Sequence, residues 1–184
     1  MRIYLIGPVG VGKSYILDKL DKLGYTVHSD PIIDQNLLRK GTPYEVQIAI
    51  ESALLLRDIN SKDGIFDTAL ESAKYYTRLQ FENGDINEKE YNNIQNIENI
   101  FQELLNNTDN HYIFIKRDLE EIKEQIRKRG RSYEINNQFY DRINTILLNC
   151  FNKSKENLDI ITLCGTDISP VIERIEELYK SKIR

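Results

Sequence analysis

Gly7-Pro8-Val9-Gly10-Val11-Gly12-Lys13-Ser14 is a complete G-x-x-x-x-G-K-S run, set between the apolar stretch Ile3-Tyr4-Leu5-Ile6 and a helical pattern from Tyr15 to Leu23. Glycines so spaced let backbone N–H groups turn inward on a polyphosphate, while the lysine reaches the terminal phosphates. A hydroxyl at the positive end of the helix can ligate Mg²⁺. The run predicts ATP or GTP binding by Gly7 to Ser14, with Lys13 on the β and γ phosphates and Ser14 on the metal. Two aspartates suit the same chemistry. Asp67 follows the apolar Gly64-Ile65-Phe66, where an enzyme with such a loop places a carboxylate for Mg²⁺ or its water shell; helix N-capping is the alternative. Asp30, before Pro31, is either a general base facing an acceptor hydroxyl or a turn-forming residue. Arg127, Arg129 and Arg131 around Gly130 form a compact positive cap that suits folding over a triphosphate. A solvated charged face is the bland reading of such a run.

These groups need a scaffold, and the hydrophobic spacing supplies one. Strands are expected at 2–6, about 25–28, 64–67, 112–115 and 158–163. Helices are expected near 13–23, 43–60, 70–81, 87–106, 118–128 and 136–152, with a last one capped by Ser169-Pro170. Between Asp30-Pro31 and Thr42-Pro43 a loop is expected. The alternation implies a three-layer α/β fold of P-loop NTPase type: a five-stranded parallel sheet flanked by helices, with an arginine-rich lid over residues 127–135. Ligands of such sheets bind at the carboxyl ends of the strands, so the loop, Asp30 and Asp67 should share one address.

The chain's 184 residues fit a single domain over 1–184. Twenty-five basic against twenty-nine acidic residues leave a net charge of −4, which disfavours a nucleic-acid binder and favours a small-molecule acceptor. Cys150 and Cys164 have no C-x-x-C and no companion histidines, so reduced, cytoplasmic thiols are expected rather than zinc or a disulfide. The short N-terminal apolar run is neither a signal peptide nor a membrane span.

Beyond the loop, the chain resembles the deoxynucleoside kinase family over most of its length. The family's Glu-Pro after strand two, whose carboxylate is the general base, appears as Asp30-Pro31. Its base-reading glutamine matches Gln47 in Tyr44-Glu45-Val46-Gln47, and Gly84 to Tyr91 is similar to a further family pattern. The family lid resembles Arg127-Lys128-Arg129-Gly130-Arg131-Ser132-Tyr133-Glu134. The resemblance implies an ATP- and Mg²⁺-dependent phosphorylation of a deoxynucleoside 5′-hydroxyl. Arg129 and Arg131 would grip phosphates, Glu134 would approach the sugar 3′-hydroxyl, and Tyr75 or Tyr76 would wall the base. By fold analogy the donor adenine would lie near Cys164 to Asp167, with Thr166 in contact. A homodimer through helices 43–60 and 87–106 is implied as well.

Three departures accompany the match. Asp67-Thr68-Ala69 stands where the family has an acidic residue followed by arginine, the presumed base is one methylene shorter, and a tyrosine upstream of the glutamine is missing. Another cation, Arg127 or Arg78 among them, would have to replace the arginine. The segment Asp67 to Tyr76 is also similar to thymidylate kinases, which makes a nucleoside monophosphate acceptor an alternative, with Arg39, Arg57 and Arg78 as candidate phosphate contacts. Thr68 further motivates a reading of another class, a nucleotide-binding regulatory protein without catalysis.

Overall fold

Apolar runs become strands here because both of their faces are covered. In the computed structural model, which describes residues 1–105, 109–128, 142 and 157–182, β1 is Arg2–Ile6, β2 Val27–His28, β3 Gly64–Asp67, β4 Asn110–Arg117 and β5 Leu158–Leu163. The strands pair in parallel in the order β2-β3-β1-β4-β5. Register sets the layers. Ile3 lies beside Ile65, and Tyr4 beside Phe66 and Tyr112, so alternate residues of three adjacent strands point to the same face.

Each face has its own core. Ile3, Leu5, Ile65, Ile113 and Ile115 pack against Ile16, Leu17 and Leu20 of α1 (Lys13–Lys22) and Val171, Ile175 and Leu178 of the last helix, α7 (Ser169–Lys182). Tyr4, Ile6, Phe66, Tyr112 and Phe114 pack on the other side, against Ala69 and Leu79. That layer holds α3 (Pro43–Asn60), α4 (Leu70–Asn83) and α5 (Glu88–Leu105). These three helices meet through Leu54, Leu55, Leu70 and Ala73, with Phe101 and Leu105 against them. The expected three layers are therefore present.

Local chemistry explains most boundaries. Thr42 accepts from the Glu45 amide at 3.2 Å and Glu45 returns a bond to the Thr42 amide at 2.8 Å, a reciprocal cap with Pro43 in the first turn of α3. Gly84 ends α4 in the left-handed region at φ 78°. Two expectations need correction. The segment between Asp30 and Thr42 is not all loop: α2 (Gln35–Lys40) forms there, its first amides held by Asp34 Oδ1 at 2.8 and 3.0 Å. The last helix takes its amide bond from Asp167, whose Oδ1 accepts from Ser169 N at 2.9 Å, while Ser169 is already helical. The helix expected at 136–152 lies outside the described residues apart from Arg142.

Candidate active site

Because the chain leaves β1 for strands on one side and later for β4 on the other, the loop after β1 sits where the sheet changes direction, the usual ligand crevice of such sheets. The loop's glycines are required by its shape. Gly7, Gly10 and Gly12 have φ of 144°, 82° and 105°. A Cβ on Gly7 would stand 2.6 Å from the Ile115 carbonyl oxygen, and one on Gly10 would stand 2.8 Å from Ile126. Ile126 belongs to α6 (Leu119–Lys128), which lies against the loop through Ile122, Ile126 and Val9. The helix that leads toward the expected lid thus packs directly on the phosphate loop. Arg127 is exposed in its last turn. Arg129, Arg131 and Glu134 lie outside the described residues.

Lys13 opens α1 and donates from Nζ to the carbonyls of Gly7 at 2.9 Å and Pro8 at 3.3 Å, which keeps the ammonium over the loop. Ser14 Oγ donates to Asp67 Oδ2 at 3.4 Å across the gap between β1 and β3. Asp67 does not cap α4, whose N-cap position is Ala69 with no side-chain bond. Its buried carboxylate faces Ser14 instead. A serine hydroxyl and one carboxylate suit Mg²⁺, which keeps several waters and takes substrate phosphates as its remaining ligands.

Asp30 joins this pair through Thr68. The Thr68 hydroxyl lies 3.3 Å from Asp30 Oδ2 and 3.4 Å from Asp67 Oδ1, and its single proton serves one of them at a time. Thr68 holds φ 54°, a strained value for a β-branched residue. The Asp30 side chain is 52 % exposed at the mouth of the crevice. Desolvation in that recess raises its pKa, the Asp67 charge adds to the rise, and Lys13, Arg57 and the Thr68 hydroxyl pull it back. A carboxylate tuned upward is a better proton acceptor near neutral pH.

Sequence reasoning missed how this floor is held. Arg57, on α3, donates from Nη1 to the carbonyl of Asp67, from Nη2 to that of Thr68 at 2.8 Å and from Nε to Asp58 Oδ1 at 2.8 Å. Its Nη1 is also 3.7 Å from Asp30 Oδ1. Asp58 in turn accepts from the Tyr4 hydroxyl at 2.9 Å. A buried polar chain therefore runs from β1 through α3 to the crevice. Tyr4 and Asp58 lie more than fifty positions apart, beyond any local pattern.

The expected base reader behaves differently. Gln47 is 2 % exposed; its amide donates to Glu51 Oε1 at 2.9 Å and to the Ala73 carbonyl at 3.3 Å, and its oxygen accepts from Gln80 at 3.4 Å. Glu51 and Glu98 share the junction of α3, α4 and α5 with Thr77, whose hydroxyl lies 3.0 and 3.1 Å from one oxygen of each. One hydroxyl cannot donate to both, so the cluster needs a carboxyl proton. Burial, reinforced by the Glu51 charge, pushes the Glu98 pKa up to about 8. Tyr75 and Tyr76 are half-buried against the Tyr4 and Phe66 cluster.

A stability prediction follows from that proton. Below the ordinary glutamate value of 4.5, Glu98 is protonated folded or unfolded; between there and about 8 the folded chain keeps a proton that the unfolded chain has lost. Stability then falls as pH rises through this window, by at most about 1.4 kcal/mol per pH unit for one proton, and levels off above it. Glu98→Gln should flatten that slope. Thermal melts at pH 5, 6.5 and 8.5 check it: a wild-type curve as flat as that of the variant contradicts the shared-proton reading.

A cavity of about 340 Å³ opens on the far side of the loop, lined by Val11, Gly12, Tyr15, Arg117, Gly165 and Thr166 among others. Arg117 crosses its wall, donating to the carbonyls of Val11 at 3.2 Å and of Gly165 and pairing with Glu121 at 3.0 Å. Thr166 thus lies beside the loop, across the cavity from Val11 and Gly12.

Phosphoryl transfer asks little of a protein besides placement and charge, and a glycine cradle with lysine, hydroxyl and carboxylates gathered at one sheet edge answers that demand. The class is that of P-loop phosphotransferases. Comparison sharpens it: the family model "Deoxynucleoside kinase" matches residues 3–178, and the chain belongs to that family. A kinase-named protein, 143R of Invertebrate iridescent virus 6, is 29 % identical over 98 % of this chain and 95 % of its own length. Two solved structures of deoxyadenosine kinase from M. mycoides share the fold. One, with bound dCTP, has a TM-score of 0.78 at 22 % identity and covers 98 % of this chain and 100 % of its own. The other, with bound dATP, has 0.75 at 23 % over the same shares. The protein is thus a phosphotransferase of nucleoside kinase type. Neither the thymidylate kinase alternative nor the non-catalytic one is favoured. No helix among the described residues is long and apolar enough to cross a membrane.

Proposed function

We propose that the chain moves the γ-phosphoryl group of ATP to the 5′-hydroxyl of a deoxynucleoside, with Asp30 as the base. The carrying observation is that Asp30 and Asp67, from different strand ends, lie on either side of one threonine hydroxyl, with Ser14 next in line. Asp30 takes the hydroxyl proton as the bond from the 5′-oxygen to phosphorus forms; the bond to the β–γ bridging oxygen breaks, and ADP leaves with that electron pair. Lys13 and the loop amides hold the phosphates, and Arg127, Arg129 and Arg131 close over them as the lid. Ser14 and Asp67 would hold Mg²⁺, which when bound neutralises charge on the β and γ oxygens. The donor base fits the cavity beside Thr166, with Tyr15 and Arg117 as flat walls. Gln47 serves the acceptor base from the α3–α4 junction, with Tyr75 or Tyr76 as a wall and Glu134 toward the sugar. A neutral acceptor suits the half-exposed Asp30 carboxylate, which would repel a monophosphate. Incubation with MgATP and each deoxynucleoside should yield a 5′-monophosphate, whereas phosphorylation of dTMP but of no nucleoside would replace this reading by the thymidylate kinase one.

The same reading makes the protein a cytoplasmic homodimer. Leu56 and Ile59 on α3 and Ile100 and Leu104 on α5 are each at least half exposed, as stripes that a second copy would cover. Sedimentation at the monomer mass across micromolar concentrations would reject the dimer.

A further inference from the structure

Arg57 is a cation that the reaction above leaves without a task, and its surroundings are unusual for a structural residue. Its side chain is 9 % exposed, yet Asp58, 1 % exposed, already neutralises it at 2.8 Å. A buried pair of that kind is complete in itself. This guanidinium instead extends past Asp58 to the end of β3. There Nη1 and Nη2 straddle the successive carbonyls of Asp67 and Thr68, and Nη1 comes within 3.7 Å of the Asp30 carboxylate. A guanidinium carries more N–H groups than these bonds use. Its plane is fixed from three sides: by Asp58, by the two carbonyls and by the Phe66 ring, 5.3 Å away. Arg78, another candidate of this half, is committed elsewhere, since it pairs with Glu82 on the outside of α4 at 2.8 Å.

We infer that Arg57 is the acceptor-side guanidinium of the centre: it orients Asp30 toward the phosphate loop and presents its remaining N–H groups to the acceptor oxygen and the phosphoryl group in transit. The inference rests on the kinase reading and deepens it. Thr68, which leaves the turn after β3 without a cation, then makes sense as a small bridge between two carboxylates, because the charge arrives from α3. Lysine could not do this, since a point charge cannot span two carbonyls and a carboxylate in one plane.

The test uses Arg57→Gln, Arg57→Lys and Arg57→Gln combined with Thr68→Arg, each assayed with MgATP and whichever deoxynucleoside the wild type accepts. Arg57→Gln should lose about 10²-fold in kcat with KM for ATP changed less than about threefold, the pattern of a contact made in the transition state. Arg57→Lys keeps a charge against Asp58, should melt near the wild type, and should still lose about tenfold in kcat. Adding Thr68→Arg to Arg57→Gln should recover about tenfold, because it returns a guanidinium to the same turn from the other side; a residue that merely clamps the fold would not be rescued so. Full activity in Arg57→Lys, or no recovery in the double variant, overturns the inference while leaving the kinase reading intact. A wild type that binds MgATP and phosphorylates no nucleoside removes both.

Discussion

Lys13→Ala is expected to lose about 10³-fold or more in kcat, and most of the thermal stabilisation that MgATP gives, while the apo protein melts near the wild type. Side-chain contacts explain the contrast. In the fold, Lys13 is only partly buried and bonds just two carbonyls of its own loop, Gly7 and Pro8. The loop's shape depends on other features: the positive φ of Gly7, Gly10 and Gly12, and the packing of Ile122 and Ile126 around Gly10. Removing the ammonium should therefore leave the cradle standing and strip it of the charge that meets the β and γ phosphates. Titration by thermal shift, followed by single-turnover kinetics, separates the two losses. Turnover above about a tenth of the wild-type rate would mean that the loop amides alone carry the phosphates.

The glycine cradle was readable from the chain because its demands are local. A backbone that must take positive φ and pass 2.6 Å from a carbonyl tolerates no side chain, so the requirement appears as glycine in the sequence itself. Strands β1, β3 and β4 were readable for a similar reason: being covered on both faces, they are written as continuous apolar runs. Asp30 and Asp67 followed from topology, since parallel strands put their carboxyl ends on one side. The short α2 was not readable. It buries no residue, so no apolar period marks it, and its cap at Asp34 resembles the turn chemistry of a loop. The Tyr4, Asp58 and Arg57 chain and the Glu51 and Glu98 pair were hidden differently. Tyr4 meets Asp58, and Thr77 joins Glu51 to Glu98, only through tertiary packing, and charged helix residues normally face water. Gln47 is the instructive middle case. Its helix position was foreseen, but Glu51 one turn later and the Ala73 carbonyl draw its amide inward. A base reader at this place must therefore exchange those bonds for bonds to its ligand.

Asp30→Asn tests the acceptor side as Lys13→Ala tests the donor side. The amide keeps the size of the carboxylate and, with its oxygen toward Thr68, can keep the 3.3 Å hydrogen bond, but it accepts no proton. If Asp30 is the base, kcat should fall by about 10²- to 10⁴-fold, the usual contribution of a positioned proton acceptor. MgATP affinity should hold, or even strengthen, because a negative charge near the Lys13 side of the crevice is gone. The wild-type pH profile offers an independent reading. Burial and the Asp67 charge lift the Asp30 pKa above its ordinary 3.8, so the acidic limb of kcat/KM should lie above that value, and Asp30→Asn should abolish the limb along with the rate. Asp30→Glu extends the carboxylate by one methylene, the length the family uses, and should retain far more activity than Asp30→Asn if the oxygen need only reach the hydroxyl. A variant in which Asp30→Asn weakens MgATP binding yet preserves turnover at saturating ATP would move Asp30 out of the proton path and into the nucleotide site. The base would then have to be sought elsewhere, with Asp67 as the other carboxylate that the threonine bridge brings to the same place.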